Sequence, residues 1–278
     1  MQRTILITGC SSGIGAALAV ELQRRGNRVY ASARRPDTLA PLVEQGLQTL
    51  TLDVNDDASI AAAMSRIESE AGGLDMLINN AGFSQVGAVI DLTRADLRQQ
   101  YETNVIAPVA MTRAALPLLR AARAAHGKAV VANVGSIVGI LTTPFAGAYC
   151  SSKAAIPHSP MPCAWSWRLW HPGGDHPAGR VKSAFGDHAE EGLRLPADSV
   201  YRPVEKGIRD RAQAGQQGAT PVDAFVVPVV TALLRETPPA IIRGGKNSVR
   251  LPLLKKILPL RTFDRLVSKV FGLDKFQP

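Results

Sequence analysis

In the run Gly147-Ala148-Tyr149-Cys150-Ser151-Ser152-Lys153, a phenol and an ammonium stand four residues apart. On a helix they project from the same face, one turn above the other. The positive charge favours the phenolate, so the tyrosine's pKa is expected to fall toward working pH and the phenol to trade a proton with a substrate. Ser136 follows a strand-like run, Ala129 to Val134, and can hold a carbonyl or hydroxyl against that phenol. Tyr-x-x-x-Lys also occurs on ordinary surface helices, so the pair draws its meaning from the rest of the chain.

Residues 4–8 read as a short buried strand of aliphatic and β-branched residues. Gly9-Cys10-Ser11-Ser12-Gly13-Ile14-Gly15 follows, then a helical pattern from Ala16 to Arg25. A strand, a glycine-rich turn and a helix are the context that a dinucleotide-binding turn requires. Glycines let the backbone approach a pyrophosphate, and the helix N-terminus offers free N–H groups. A glycine-rich connection without a ligand is the plainer reading of the same residues. A second strand, Arg28 to Ser32, leads into Ala33-Arg34-Arg35, where NAD-selective folds place a carboxylate for the ribose hydroxyls. Arginines suit the 2′-phosphate of NADP instead, which points to NADP(H) over NAD(H) with Arg34 as chief reader. Two arginines merely solvating a loop is the alternative.

The alternation continues through a helix near Pro36 to Gln45, a strand Leu47 to Leu52 and a helix from Asp57 to Glu70. Leu74 to Ile78 forms the fourth strand. One helix runs from Thr93 to Arg123 with a soft point at Pro108, and Ala129 to Val134 is the fifth strand. Strands alternating with helices imply an α/β fold: a doubly wound parallel sheet, covered on both faces, with its ligand at the carboxyl ends of the strands. No linker or repeat divides the 278 residues, so a single domain is expected.

Apolar residues make up 46% of the chain and charged ones 20%, the balance of a globular protein rather than a disordered one. No uninterrupted apolar run approaches the ~18 residues of a membrane span, and no signal-peptide pattern opens the chain. Cys10, Cys150 and Cys163 are few, odd in number and without metal-ligand spacing; free thiols in a reducing cytoplasm are expected, and no metal. The net charge of +9 is uneven: from Ala240 onward nine Lys and Arg face only Asp264 and Asp274. A nucleic-acid groove along the main domain is therefore excluded, though not one made by the tail.

Thr8-Gly9-x-x-x-Gly13-Ile14-Gly15, Asn79-Asn80-Ala81-Gly82, Asn104, Ser136 and Tyr149-x-x-x-Lys153 together resemble the classical short-chain dehydrogenases/reductases, over residues 1 to about 156. Within them the chain is similar to the branch of 17β-hydroxysteroid-, retinol- and acyl-dihydroxyacetone-phosphate-type reductases. The resemblance implies a Rossmann fold and a reaction interconverting carbonyl and alcohol on a steroid-, retinoid- or lipid-like substrate. It makes Tyr149 the general acid in reduction and base in oxidation. Lys153 would depress the Tyr149 pKa and hold the nicotinamide ribose, Ser136 would orient the carbonyl, and Asn104 would anchor a water in the proton relay. The cofactor would meet Gly9, Ser11, Ser12, Gly13, Ile14 and Gly15, with Asp53 and Val54 at the adenine and Asn79, Ala81, Gly82 and Val181 along its length. A homodimer or tetramer is the family's habit.

After Lys153 the family pattern breaks. Pro157 has no N–H for the Lys153 carbonyl, Pro160 and Pro162 forbid a recovery, and all three tryptophans fall in the same window, so the helix is expected to end about one turn beyond Lys153. Across residues 157–178 we expect a local change of reading frame or, alternatively, a true insertion. Back-translation permits an amphipathic helix (Ala-Phe-Ser-Asp-Ala-Leu-Arg) and a buried strand (Val-Val-Ile-Ile-Gln-Pro-Gly) in shifted frames. The consequence would be impaired assembly or turnover, even a cofactor-binding protein that turns over nothing. Residues 184–218 occupy the place of a substrate lid. Pro221 to Arg235 reads as a closing helix and Ala240-Ile241-Ile242 as a last strand. The basic, apolar tail 245–278 either packs on its own domain or touches an anionic membrane.

Overall fold

The chain is described by a computed structural model over residues 2–158 and 180–276. Its strands are short, and the central ones, Thr4–Ile7 and Met76–Asn79, are apolar on both faces, as strands covered by helices on either side must be. β1 (Thr4–Ile7), β2 (Arg28–Ala33), β3 (Gln48–Thr51), β4 (Met76–Asn79) and β5 (Val130–Asn133) form a parallel sheet in the order β3-β2-β1-β4-β5. Ile5 aligns with Val29 on one side and Met76 on the other. Strand order reverses between β1 and β4, which opens a crevice at their carboxyl ends.

Side chains alternate strictly across the sheet. Ile5, Ile7, Val29, Ala31, Met76 and Ile78 pack with α1 (Gly13–Arg24), while Leu6, Tyr30 and Leu77 face the opposite layer. After α2 (Ala40–Glu44), α3 (Asp57–Ala71) begins where Asp56 accepts the Ala58 N–H at 3.0 Å, and it stops at Gly72 in the left-handed region. The single helix expected over Thr93–Arg123 is instead α4 (Arg94–Tyr101), a π-helical turn over Glu102–Ile106, and α5 (Ala107–His126). Pro108 explains the break, because it has no N–H to offer the Asn104 carbonyl four residues back. By length and hydropathy the stretch Arg94–His126 is apolar enough to cross a bilayer. Its apolar face is spent on the sheet, where Met111, Ala115, Leu118 and Leu119 are buried with Ile60, Met64 and Ile67 of α3.

α6 (Gly147–His158) carries the phenol and the ammonium. The expectations for residues 157–178 lie outside the described residues, apart from Pro157 and His158 at the end of α6. Beyond them come α7 (Phe185–Glu191), α8 (Glu205–Gln213), α9 (Val222–Leu233), α10 (Arg250–Ile257) and α11 (Leu260–Val270). α9 covers α1 with Val226, Val230 and Leu233. Residues 240–242 form no strand: no described strand lies alongside to take their N–H and C=O groups. In place of a strand, isolated bridges join Arg180 to Lys246 and Val181 to Thr220. The tail packs on its own domain, with Phe263 and Phe271 buried and the Lys255 ammonium donating to the Ile140 carbonyl.

Candidate active site

Gly9 leaves β1 with φ +71°, and a Cβ there would lie 2.8 Å from the Ala81 Cα. A side chain would meet both strain and collision. Thr8 and Asn80 hold this close approach. The Thr8 Oγ1 accepts the N–H groups of Asn80 and Ala81, each at 3.0 Å, and the Asn80 Nδ2 donates to the carbonyls of Thr8 and Gly9, each at 2.9 Å. At Gly15 an added Cβ would collide with the Gly9 carbonyl. The N-cap of α1, Ser12, makes no side-chain hydrogen bond to the helix, and no acidic residue stands in its first turn. Its free N–H groups and positive dipole end thus face open space, a cradle for a pyrophosphate. The residues present fit a dinucleotide.

One cavity of about 1080 Å³ runs from this turn to α6. Gly9, Ser11, Ser12, Gly13, Ile14 and Gly15 line one end, with Arg34, Asp53 and Val54 beside them. Ala81, Gly82 and Val181 line the middle, and Ser136, Tyr149 and Lys153 line the far part. Asn79 and Asn104 stand behind the wall. The Asn79 side chain turns inward to the Asn133 Oδ1 at 2.9 Å, and its neighbour Asn80 lines the cavity instead. Strand alternation is the reason: successive side chains point to opposite faces. Asn104 sits in the π turn with its side chain engaged, its Oδ1 accepting the Phe83 N–H at 3.1 Å and its Nδ2 donating to the Ser152 Oγ at 3.1 Å.

Tyr149 and Lys153 are both buried. Tyr149 hydrogen-bonds Ser136, and the Lys153 ammonium donates to the Val134 carbonyl at 2.9 Å. The expected depression of the phenol by this lysine is not what the site shows. Burial pushes Tyr149 up to about 12, opposed by the Ser136 hydrogen bond and by the Arg211 guanidinium. Lys153 is itself lowered to about 8, because a buried ammonium without a counter-charge is poorly solvated. As it stands, the site holds a neutral phenol in hydrogen-bonding reach of a serine hydroxyl, a proton donor rather than a base.

Three contributors were invisible to spacing. Phe185 of α7 packs on the Tyr149 ring at 5.6 Å between centroids, Arg211 of α8 enters the wall, and Leu254, Phe263, Val267 and Phe271 of the tail complete it. None stands at a regular interval from Tyr149. Among the described residues no group of acidic, His and Cys side chains can hold a metal.

The short chain dehydrogenase family profile matches residues 3–161. A short-chain dehydrogenase/reductase of Pestalotiopsis microspora is 35% identical over 284 residues, 98% of this chain and 95% of that one. An NADPH-dependent 3-dehydrocapnine reductase of Ornithobacterium rhinotracheale is 35% identical over 160 residues, 56% of each chain. Among solved structures, a short-chain dehydrogenase from Streptomyces avermitilis has a TM-score of 0.72 at 23% identity, covering 100% of this chain and 99% of that one, a likeness of fold. The chain belongs to the short-chain dehydrogenase family, and its Rossmann-type domain is that of an oxidoreductase acting on CH–OH or C=O groups.

Proposed function

We propose that the chain is an NADP(H)-dependent oxidoreductase that interconverts a carbonyl and an alcohol on an apolar substrate. The observation that carries it is the single cavity joining the Gly9 turn and Arg34 to the buried Tyr149–Ser136 pair. The dinucleotide supplies hydride at its nicotinamide when bound. Gly9, Gly13 and Gly15 admit its pyrophosphate, while Asp53 and Val54 flank the adenine. The Ser136 hydroxyl donates to the substrate oxygen and fixes its distance from the Tyr149 phenol. Tyr149, neutral at working pH, gives its proton to that oxygen as negative charge develops. Lys153 lies against Gly82, its Nζ 3.7 Å from the Cβ position there, within reach of a ribose hydroxyl along that wall. The Asn104 amide is occupied, so its carbonyl, without a donor from Pro108, is the atom left to hold a relay water. The substrate's apolar body would lie against Phe263, Val267 and Phe271 in the manner of a steroid, retinoid or lipid chain.

Arg34 and Arg35 are exposed at the end of β2 on the cavity wall. Arg34→Ser is expected to raise the NADPH Kd by roughly 10- to 100-fold, the worth of a charge-assisted phosphate contact, and to leave NADH within about twofold. Fluorescence titration with both nucleotides checks this. Tighter binding of NADH than of NADPH by the unmutated chain would refute the cofactor assignment.

A peripheral membrane contact through the tail belongs to the same reading. Leu253, Ile257, Leu260 and Val270 are exposed among Lys256, Arg261 and Lys269, an apolar and basic surface complementary to anionic lipid. Sedimentation with phosphatidylglycerol vesicles is expected to pull the chain down, and with phosphatidylcholine vesicles to leave it in solution. Equal recovery from both would remove the contact. Away from membranes the chain is read as cytoplasmic.

A further inference from the structure

We propose that Arg211 receives an anionic group of the substrate, so that the molecule turned over is an oxo or hydroxy acid with a hydrocarbon chain rather than a neutral ketone. The proposal rests on the oxidoreductase reading above and narrows its substrate class.

Arg211 sits on α8, only 8% exposed, and lines the same cavity as Tyr149 and Lys153. Its surroundings are neutral. The Nε donates to the Thr143 Oγ1 at 2.7 Å, the guanidinium also reaches the Cys150 sulfur, and Thr143 and Cys150 themselves meet at 3.8 Å. Among the described residues no carboxylate pairs with it, although Asp53 and Glu191 lie elsewhere on the cavity wall. The exposed arginines of α8 and its approach behave otherwise: Arg202 and Arg209 both pair with Glu205. Among the described residues of α8 and its approach, the arginine without a carboxylate is the buried one and the paired ones are exposed.

A guanidinium carries five N–H donors and always keeps its charge. Burying it without an anion costs several kcal/mol, so stable folds pair such groups. An occupant that brings a carboxylate would supply the missing charge and accept from the fork in two parallel hydrogen bonds. Arg211 is electrostatically coupled to Tyr149 and hydrogen-bonds Cys150, the next residue, which puts the anionic group close to the reacting oxygen. Beyond it, Phe263, Val267 and Phe271 offer only apolar contact. An acid near the reacting carbon, followed by a hydrocarbon chain, satisfies both parts of the wall.

Calorimetry on the NADPH-loaded full chain at neutral pH tests this with decanoate and decan-1-ol, which share a chain and differ in charge. The unmutated protein is expected to bind decanoate roughly tenfold more tightly or better. Arg211→Gln should bind the two alike, Arg211→Lys should keep part of the preference, and the NADPH Kd should not move in either variant. No preference for decanoate in the unmutated protein overturns the proposal, a result that needs no variant to fold. Equal loss of both ligands in Arg211→Gln, with the lysine variant no better, would also overturn it, making the arginine a prop for α8. Failure of the oxidoreductase reading shows elsewhere, as NADPH binding by the unmutated protein with no turnover of decan-4-one or 4-oxodecanoate.

Discussion

Tyr149→Phe is expected to lower kcat/KM by about 10²- to 10⁴-fold while NADPH binds with unchanged affinity. The variant deletes one oxygen from a buried ring packed against Phe185, so neither the ring nor its neighbours need move. What is lost is the proton donor and the acceptor or donor that Ser136 meets. Because burial holds the phenol near 12, Tyr149 remains protonated across the physiological range in the cofactor-free site. In the unmutated protein reduction uses the protonated phenol and should hold its rate across that range, whereas oxidation needs the phenolate and should rise with pH. Steady-state rates in both directions, beside a nucleotide titration, check the expectation. Retained turnover would mean that the hydride chemistry runs without this phenol. An unmutated chain that binds NADPH but turns over no ketone or alcohol would instead favour a cofactor-binding protein.

Lys153→Met should divide activity and stability in opposite senses. Loss of the ammonium is expected to lower kcat/KM by roughly 10²-fold or more, since the charge beside the phenol and the contact toward Gly82 disappear together. Stability should rise at pH 7. The lysine's folded-state value of about 8 lies below its ordinary 10.5, so between these pH values the unfolded chain binds more protons than the folded one. The penalty is full below about pH 8 and fades as pH climbs to 10.5. Methionine, close in shape and without charge, avoids a penalty of at most about 3 kcal/mol, less the cost of leaving the Val134 carbonyl without its donor. Urea denaturation of both proteins at pH 7 and 9.5 should show the variant's advantage shrinking by about 2 kcal/mol at the higher pH. An advantage independent of pH would mean that the lysine is not buried as a strained cation.

The parallel sheet was legible because its strands are short apolar runs between turn residues, and their observed ends differ from the expected ones by only a residue or two. The π turn was half legible: Pro108 marked a weak point, but only the packing of Asn104 between Phe83 and α6 turned that weakness into a wider helical turn. Residues 240–242 misled, since β-branched side chains state a preference and a strand needs a partner. Asn79 and Asn80 could not be ranked from adjacency alone. Which of them faces the cavity follows from the register of β4 against β1 and β5.

Local rules, then, were enough for whatever depends on neighbours in the chain: the glycines that a tight turn demands, the one-turn spacing of phenol and ammonium, and the alternation that makes a doubly wound sheet. Tertiary structure alone decided how those groups behave. The acidity of Tyr149 and Lys153 is set by burial, and the placing of the Arg211 charge in the cavity wall, with no carboxylate partner among the described residues, by where α8 comes to rest. Desolvation depends on every atom that displaces water from a site, and those atoms arrive from parts of the chain more than sixty residues away, as Thr143 and Arg211 do.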